Sequence, residues 1–143
     1  MTGGVSARRI GLALPALLLL GCTHMAKARE CRDLARTVNR ALDQVEAGAG
    51  QEQPVALRKA AARYAALAND IERQRPTHNP ELGRTVDELS SLFNQTAAAL
   101  RELADATQAK QTARSDRARR RVDNLARSEK TEAERVDSLC RAP

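Results

Sequence analysis

One phenylalanine, one tyrosine and no tryptophan serve a chain of 143 residues. That scarcity excludes an aromatic-lined ligand pocket and a stacking platform for single-stranded nucleic acid. Only two histidines occur, His24 and His78, and neither has a second His at metal-ligand spacing. Both read as solvated loop residues. The chain also lacks a CxxC pair, a glycine-rich phosphate loop and a nucleophile elbow. Carboxylates adjacent in sequence, Asp70 with Glu72 and Asp87 with Glu88, fall on polar helix faces, where neighbouring charges are solvated rather than divided into acid and base. The expectation is a protein without catalysis, cofactor or metal.

What is present is alanine, 27 residues of it, within a total of 42% hydrophobic residues. Alanine favours helix but buries little surface per residue. The expected core is therefore helical and thin.

The N-terminus carries the three parts of an export signal. Arg8 and Arg9 supply a positive region, Ile10 to Leu20 is an uncharged apolar run, and Gly21 is a small residue at the cleavage point. The run is about half of the ~20 residues that span a bilayer, which favours export over a permanent membrane helix. Leu19-Leu20-Gly21-Cys22 resembles the lipobox of bacterial lipoproteins. The resemblance covers this segment alone. It implies that residues 1–21 are a signal peptide removed by cleavage before Cys22, that the Cys22 thiol carries diacylglycerol, and that the new amino terminus is a second acylation point. Two or three chains, at ~0.8 kcal/mol per buried methylene, hold a protein stably at a membrane where one does not. The pairing of Cys22 with His24 is better explained by this signal than by zinc. In lipoproteins of Gram-negative bacteria an Asp after the lipidated Cys retains the protein at the inner membrane. Thr23 stands here, which implies an outer-membrane lipoprotein facing the periplasm.

Cleavage leaves 22 basic and 18 acidic residues, a net charge of +4. With Cys22 committed to lipid, two thiols remain, Cys31 and Cys140, in a compartment that permits disulfides. A bridge between them closes most of the mature chain. The alternatives are unpaired buried thiols or an intermolecular bond.

Beyond a tether over 22–30, residues 31–143 form a single domain with apolar side chains at helical spacing. Cys31, Leu34, Val38, Leu42 and Val45 mark a first helix, with Ala35 and Ala41 widening its stripe, and Gly48 and Gly50 end it. Pro54 opens a second, striped by Leu57, Ala60, Tyr64, Leu67 and Ile71. Asn79 before Pro80 predicts an N-cap followed by proline at the first helical position. A third stripe then runs Leu82, Val86, Leu89, Phe93, Thr96, Leu100 and Leu103. From Ala104 to Arg121 the only apolar side chains are alanines, and the stripe resumes out of phase at Val122, Leu125, Val136 and Leu139.

No glycine or proline marks a stop in that gap, so propensity allows one helix of about 60 residues, ~90 Å long. Such a helix would carry Cys140 far from Cys31, whereas a disulfide needs Cα atoms within about 7 Å. A reversal between Thr107 and Asp116 brings the thiols together. The expected architecture is all-α, an elongated up-down-up-down four-helix bundle. The alternative is a long helix in an antiparallel coiled coil or oligomer.

Leu, Ile, Val and Phe together number only 19 in the 122 mature residues, a range where disorder competes with folding. The alanine triplets at 60–62 and 97–99 either permit close helix approach or express helix propensity on exposed faces. Finally, Arg114, Arg117, Arg119, Arg120 and Arg121 crowd one stretch, offset by Asp116. In an exported protein nucleic acid is not the expected partner, and a bundle of this topology places the cluster ~40 Å from the lipid, beyond a Debye length of about 8 Å. Two readings stand: a solvated helical face, or a contact for anionic cell-wall polymer or an acidic envelope protein.

Overall fold

The computed structural model describes the backbone of residues 16–46 and 53–141, and the side chains of residues 25–43 and 53–141. Four helices follow in order: α1 (Ala16–Glu46), α2 (Pro54–Arg73), α3 (Pro80–Gln108) and α4 (Thr112–Arg141). Contacts run α1 to α2, α2 to α3, α3 to α4 and α4 back to α1, so the helices form a closed antiparallel ring. No strand occurs among the described residues.

The breaks follow local chemistry. Pro54 sits in the first turn of α2 behind an extended Gln53. Asn79 caps α3, its side chain accepting from the Leu82 amide at 3.1 Å, with Pro80 next and Glu81 favourably placed near the positive end of the helix dipole. Gly48 and Gly50, the expected end of the first helix, lie outside the described residues, as does the Val45 side chain.

The reversal after α3 falls at Ala109–Gln111, inside the window that the cysteines require. Its geometry explains why no glycine announced it. The Gln111 amide donates to the Ala106 carbonyl at 2.9 Å and the Lys110 amide to Thr107 at 3.1 Å, the paired bonds of a Schellman stop. Lys110 occupies the left-handed position of that motif at φ 55°. A lysine there is strained, since the conformation costs an L-residue roughly 1–2 kcal/mol, part of which glycine returns as unfolded-state entropy. Lys110→Gly is expected to raise the urea unfolding free energy by about 0.5 to 1 kcal/mol, and Lys110→Val to lower it.

One boundary differs from expectation. The segment over 23–30, read as a tether, is helical and continuous with α1. Between Cys22 and Glu46 the sequence has no glycine or proline, and Met25 to Glu30 are good helix formers, so nothing breaks the helix across the expected tether. Met25, Lys27, Ala28 and Arg29 are exposed, Ala26 and Glu30 are half-buried, and Leu34 is the first fully buried described side chain of α1. The N-terminal half of α1 therefore projects beyond the end of the bundle.

The interior follows the predicted stripes. Every stripe residue of α3 is buried, from Leu82 to Leu103, because α3 packs against α2 on one flank and α4 on the other. Leu34, Val38 and Ala41 of α1, Leu57, Tyr64 and Ile71 of α2, and Leu125 and Val136 of α4 close around it. Alanine contributes to this core: Ala61, Ala68, Ala97, Ala104 and Ala118 are each at most 2% exposed. Close approach and exposed helicity both apply within the triplets, since Ala61 is buried while Ala62 and Ala98 face water. Tyr64 and Phe93 meet edge to face, ring centroids 5.7 Å apart. The two aromatic rings of the chain thus stack in the middle of the core.

At the end where α1 enters, Cys31 and Cys140 lie with Cα atoms 5.4 Å apart and their sulfurs within bonding distance. The same end is fastened by Glu30. One of its carboxylate oxygens accepts from the Thr77 amide at 3.2 Å and the Thr77 hydroxyl at 3.0 Å, and the Nδ1 of His78 lies 2.8 Å from it. His78 is thus exposed, as expected of a loop residue, but also a hydrogen-bond partner of Glu30. Partial burial opposes the charge on Glu30, but the donors of His78 and Thr77 outweigh it and hold the carboxyl below its ordinary value.

Candidate functional site

The bundle separates the predicted site residues along its axis. Cys31 and Cys140 mark one end. The backbone of Cys22 lies in the projecting part of α1, nine residues before Cys31, or ~14 Å along a helix axis. Arg114 to Arg121 lie toward the other end, in the N-terminal third of α4, ~30 to 40 Å from Cys140 along the helix axis.

All five arginines of the cluster are exposed. Arg114 reaches Glu102 of α3 at 3.5 Å, and Arg119 reaches Asp116 at 3.5 Å. For Arg117, Arg120 and Arg121 no ion pair forms among the described residues. The first turn of α4 holds no acidic residue. Only Arg114 lies in that turn, where a cation opposes the macrodipole, typically by about 0.3–1 kcal/mol; Arg117 to Arg121 lie beyond its reach.

Elsewhere the charges pair. Arg75 donates to both carboxylate oxygens of Asp87, at 2.8 and 2.7 Å, and holds that carboxyl below its ordinary value. Arg58 reaches Asp105 at 2.8 Å, and Arg135 reaches Glu88 at 3.4 Å. Asp70 pairs with Arg73. Asp70, Asp87 and Glu88 thus pair with three different arginines.

Between α3 and α4 an open groove of about 590 Å³ is lined by Asp87, Glu88, Ser91, Gln95, Ser128 and Glu132 among others. Burial, reinforced by the charge of Glu88, pushes the Glu132 carboxyl up, against the opposing pull of Arg135. One Glu132 oxygen lacks a hydrogen-bond partner. Among the described residues no group of three or more His, Cys, Asp or Glu side chains is placed to hold a metal ion.

The constellation that sequence reasoning missed lies inside. Glu129 of α4 is 2% exposed. The hydroxyl of Thr96 on α3 donates to it, and so does the hydroxyl of Tyr64 on α2. Burial pushes the Glu129 carboxyl up to about 7, while these two donors pull the other way. Burial and the facing carboxylate raise the Tyr64 hydroxyl well above its ordinary value. The triad joins three helices at one level of the bundle. A slip of one helical turn would strand a buried carboxyl without donors, at a cost of several kcal/mol. In a core built largely from alanine and aliphatic residues, it fixes the register of α2, α3 and α4.

The sequence did carry a signal for it. Thr96 and Tyr64 interrupt apolar stripes, and the α4 stripe has an unexplained gap between Leu125 and Val136, which Glu129 fills four residues after Leu125. Burial of a glutamate is rare enough that the gap is first read as a solvated stretch.

Comparison with protein families, curated proteins and solved structures finds no match to this chain.

Proposed function

We propose that the chain is a lipid-anchored helical lipoprotein of the bacterial cell envelope, held at the outer membrane facing the periplasm, with a structural or protein-interaction role and no chemistry of its own. The observation that carries this reading is Leu19-Leu20-Gly21-Cys22, placed directly after the apolar run. Two features support it. Cys31 and Cys140 stand at disulfide distance, as befits an oxidising compartment. Among the described residues no helix is long and apolar enough to cross a membrane, so attachment would rest on the lipid. In this reading the helical stretch from Cys22 to Glu30 is a short stalk, and the Glu30 contacts and the disulfide transmit its orientation to the bundle.

The test is detergent partitioning with mass spectrometry of the N-terminal peptide. Wild-type protein is expected in the detergent phase with an acylated Cys22, and Cys22→Ala is expected to lose the acyl mass and leave the detergent phase. An unacylated wild-type N-terminus, with membrane association unchanged in the variant, would sink the reading.

A further inference from the structure

Charge is distributed unevenly along the bundle. The ion pairs and ring contact that align the helices, Arg58 with Asp105, Tyr64 with Phe93 and Arg114 with Glu102, divide the structure into two halves. The half containing the α3–α4 reversal comprises residues 54–63, 96–111 and 112–124, and holds ten basic and four acidic side chains. The half containing the disulfide comprises residues 25–43, 64–95 and 125–141, and holds twelve of each. Over the residues whose side chains are described, the whole net charge therefore sits at the pole away from Cys31 and Cys140.

Three helices contribute to this pole, with Lys59 and Arg63 on α2, Arg101 on α3 and the arginines of α4. Lys59, Arg63, Arg101, Arg117, Arg120 and Arg121 are all exposed. The acidic side chains present there are already engaged by Arg58, Arg114 and Arg119, or are outnumbered. The positive ends of the α2 and α4 dipoles at this pole are offset by the negative ends of α1 and α3, so the field there comes from the side chains.

We infer that this pole is a binding surface for a linear polyanion, a polymer with repeated phosphate or carboxylate groups. The proposal rests on the reading of the protein as an envelope interaction module and assigns that module its ligand class. The surface chemistry selects the ligand. Charges spread around three helices match a flexible chain of repeated anions, each neutralised residue releasing counterions. A folded acidic partner would call for aromatic or apolar anchors in desolvated pockets. Here both rings are buried in the core, and among the described residues the exposed large hydrophobic side chains are Val55 at this pole and Met25 at the other. One valine is also too little apolar surface to insert into a bilayer.

The experiment measures binding of the full chain, in non-ionic detergent, to fluorescein-labelled linear polyphosphate over a range of salt. Wild-type affinity is expected to fall steeply with salt. Arg117, Arg120 and Arg121 replaced together by Gln should weaken binding on the order of tenfold or more and flatten the log–log salt slope by about 2. The same three positions changed to Lys should retain most of the binding, since a field needs charge rather than guanidinium geometry. Arg29, Arg32 and Arg40 changed to Gln remove equal charge from the other half and should leave the slope unchanged. Helical circular dichroism verifies the fold of each variant. Absence of salt-sensitive binding by wild type, equal loss in both Gln triples, loss in the Lys triple, or binding to phosphatidylglycerol vesicles without binding to the polymer would each overturn the proposal. The assay does not depend on acylation, so it can fail while the Cys22 test succeeds, and the reverse.

Discussion

Changing Cys31 and Cys140 together to Ala is expected to lower the unfolding free energy by about 4 to 5 kcal/mol. The bridge spans 109 residues of sequence, and in the chain-entropy model a loop of that size restricts the unfolded ensemble by roughly that amount. Small domains have only about 5–15 kcal/mol in total, so the loss is a large fraction of the fold. Guanidinium titration of the oxidised, reduced and double-Ala proteins gives the figure. The response should also be uneven. Near the disulfide α1 adds Leu34, Val38 and Ala41 to the core and is otherwise fastened by Glu30 to Thr77 and His78, and by Thr37, whose hydroxyl donates to Gln74 at 2.8 Å. The α2–α3–α4 unit keeps the Phe93–Tyr64 contact and the Glu129 triad without help from the bridge. Hydrogen exchange in the double variant should therefore rise first in α1, with α3 protected longest. Uniform loss across all four helices would show that α1 is integral to the core rather than strapped to it.

The architecture was legible because its decisive constraints are local or arithmetical. Proline at helix starts, an Asn79 cap and stripes of period 3.6 place three helices from the sequence. The fourth came from the requirement that two distant thiols meet, which demanded a reversal that no turn residue advertised. Lys110 in the left-handed position accounts for that silence: the Schellman bonds and the packing of α4 back onto α3 tolerate a residue that turn chemistry would not choose. The extension of α1 to Ala16 was less legible, because a stretch without apolar periodicity is read as coil even when its composition favours helix.

The candidate sites divide in the same way. The arginines of α4 were found because charge clusters are visible in one dimension. The polarity of the whole bundle was not, because Lys59, Arg63 and Arg101 join those arginines only when α2 and α3 are aligned beside α4. Glu129 was hidden for a different reason. Its burial depends on donors from two other helices, 33 residues away at Thr96 and further still at Tyr64. A single stripe read along α4 cannot supply those donors.

That buried carboxyl leads to the second large effect, a stability that falls as pH rises. An unfolded glutamate titrates near 4.5, and in the folded protein burial raises Glu129 to about 7. Between these values the folded state binds more protons than the unfolded one, so the contribution is complete below about 4.5 and is lost as pH climbs through 7. The interval corresponds to up to about 3 kcal/mol, at 1.36 kcal/mol per unit. The groups that face the carboxyl are the hydroxyls of Tyr64 and Thr96, and neither titrates in this window. Asp87 and Glu30, held below their ordinary values, give stability the opposite slope, but only at more acidic pH. Glu129→Gln should therefore match wild type near pH 4 and exceed it by about 2 to 3 kcal/mol at pH 8, measured by urea unfolding across the range. The slope left in that variant should belong to Glu132, whose carboxyl is also raised by burial and by Glu88, and should vanish in the double variant with Glu132→Gln. A Gln variant that keeps the full wild-type slope would show that Glu129 does not titrate inside the fold. Glu129→Leu separates charge from register. It relieves the same pH dependence but leaves the hydroxyls of Thr96 and Tyr64 facing an apolar side chain, and so should be less stable than Gln at every pH.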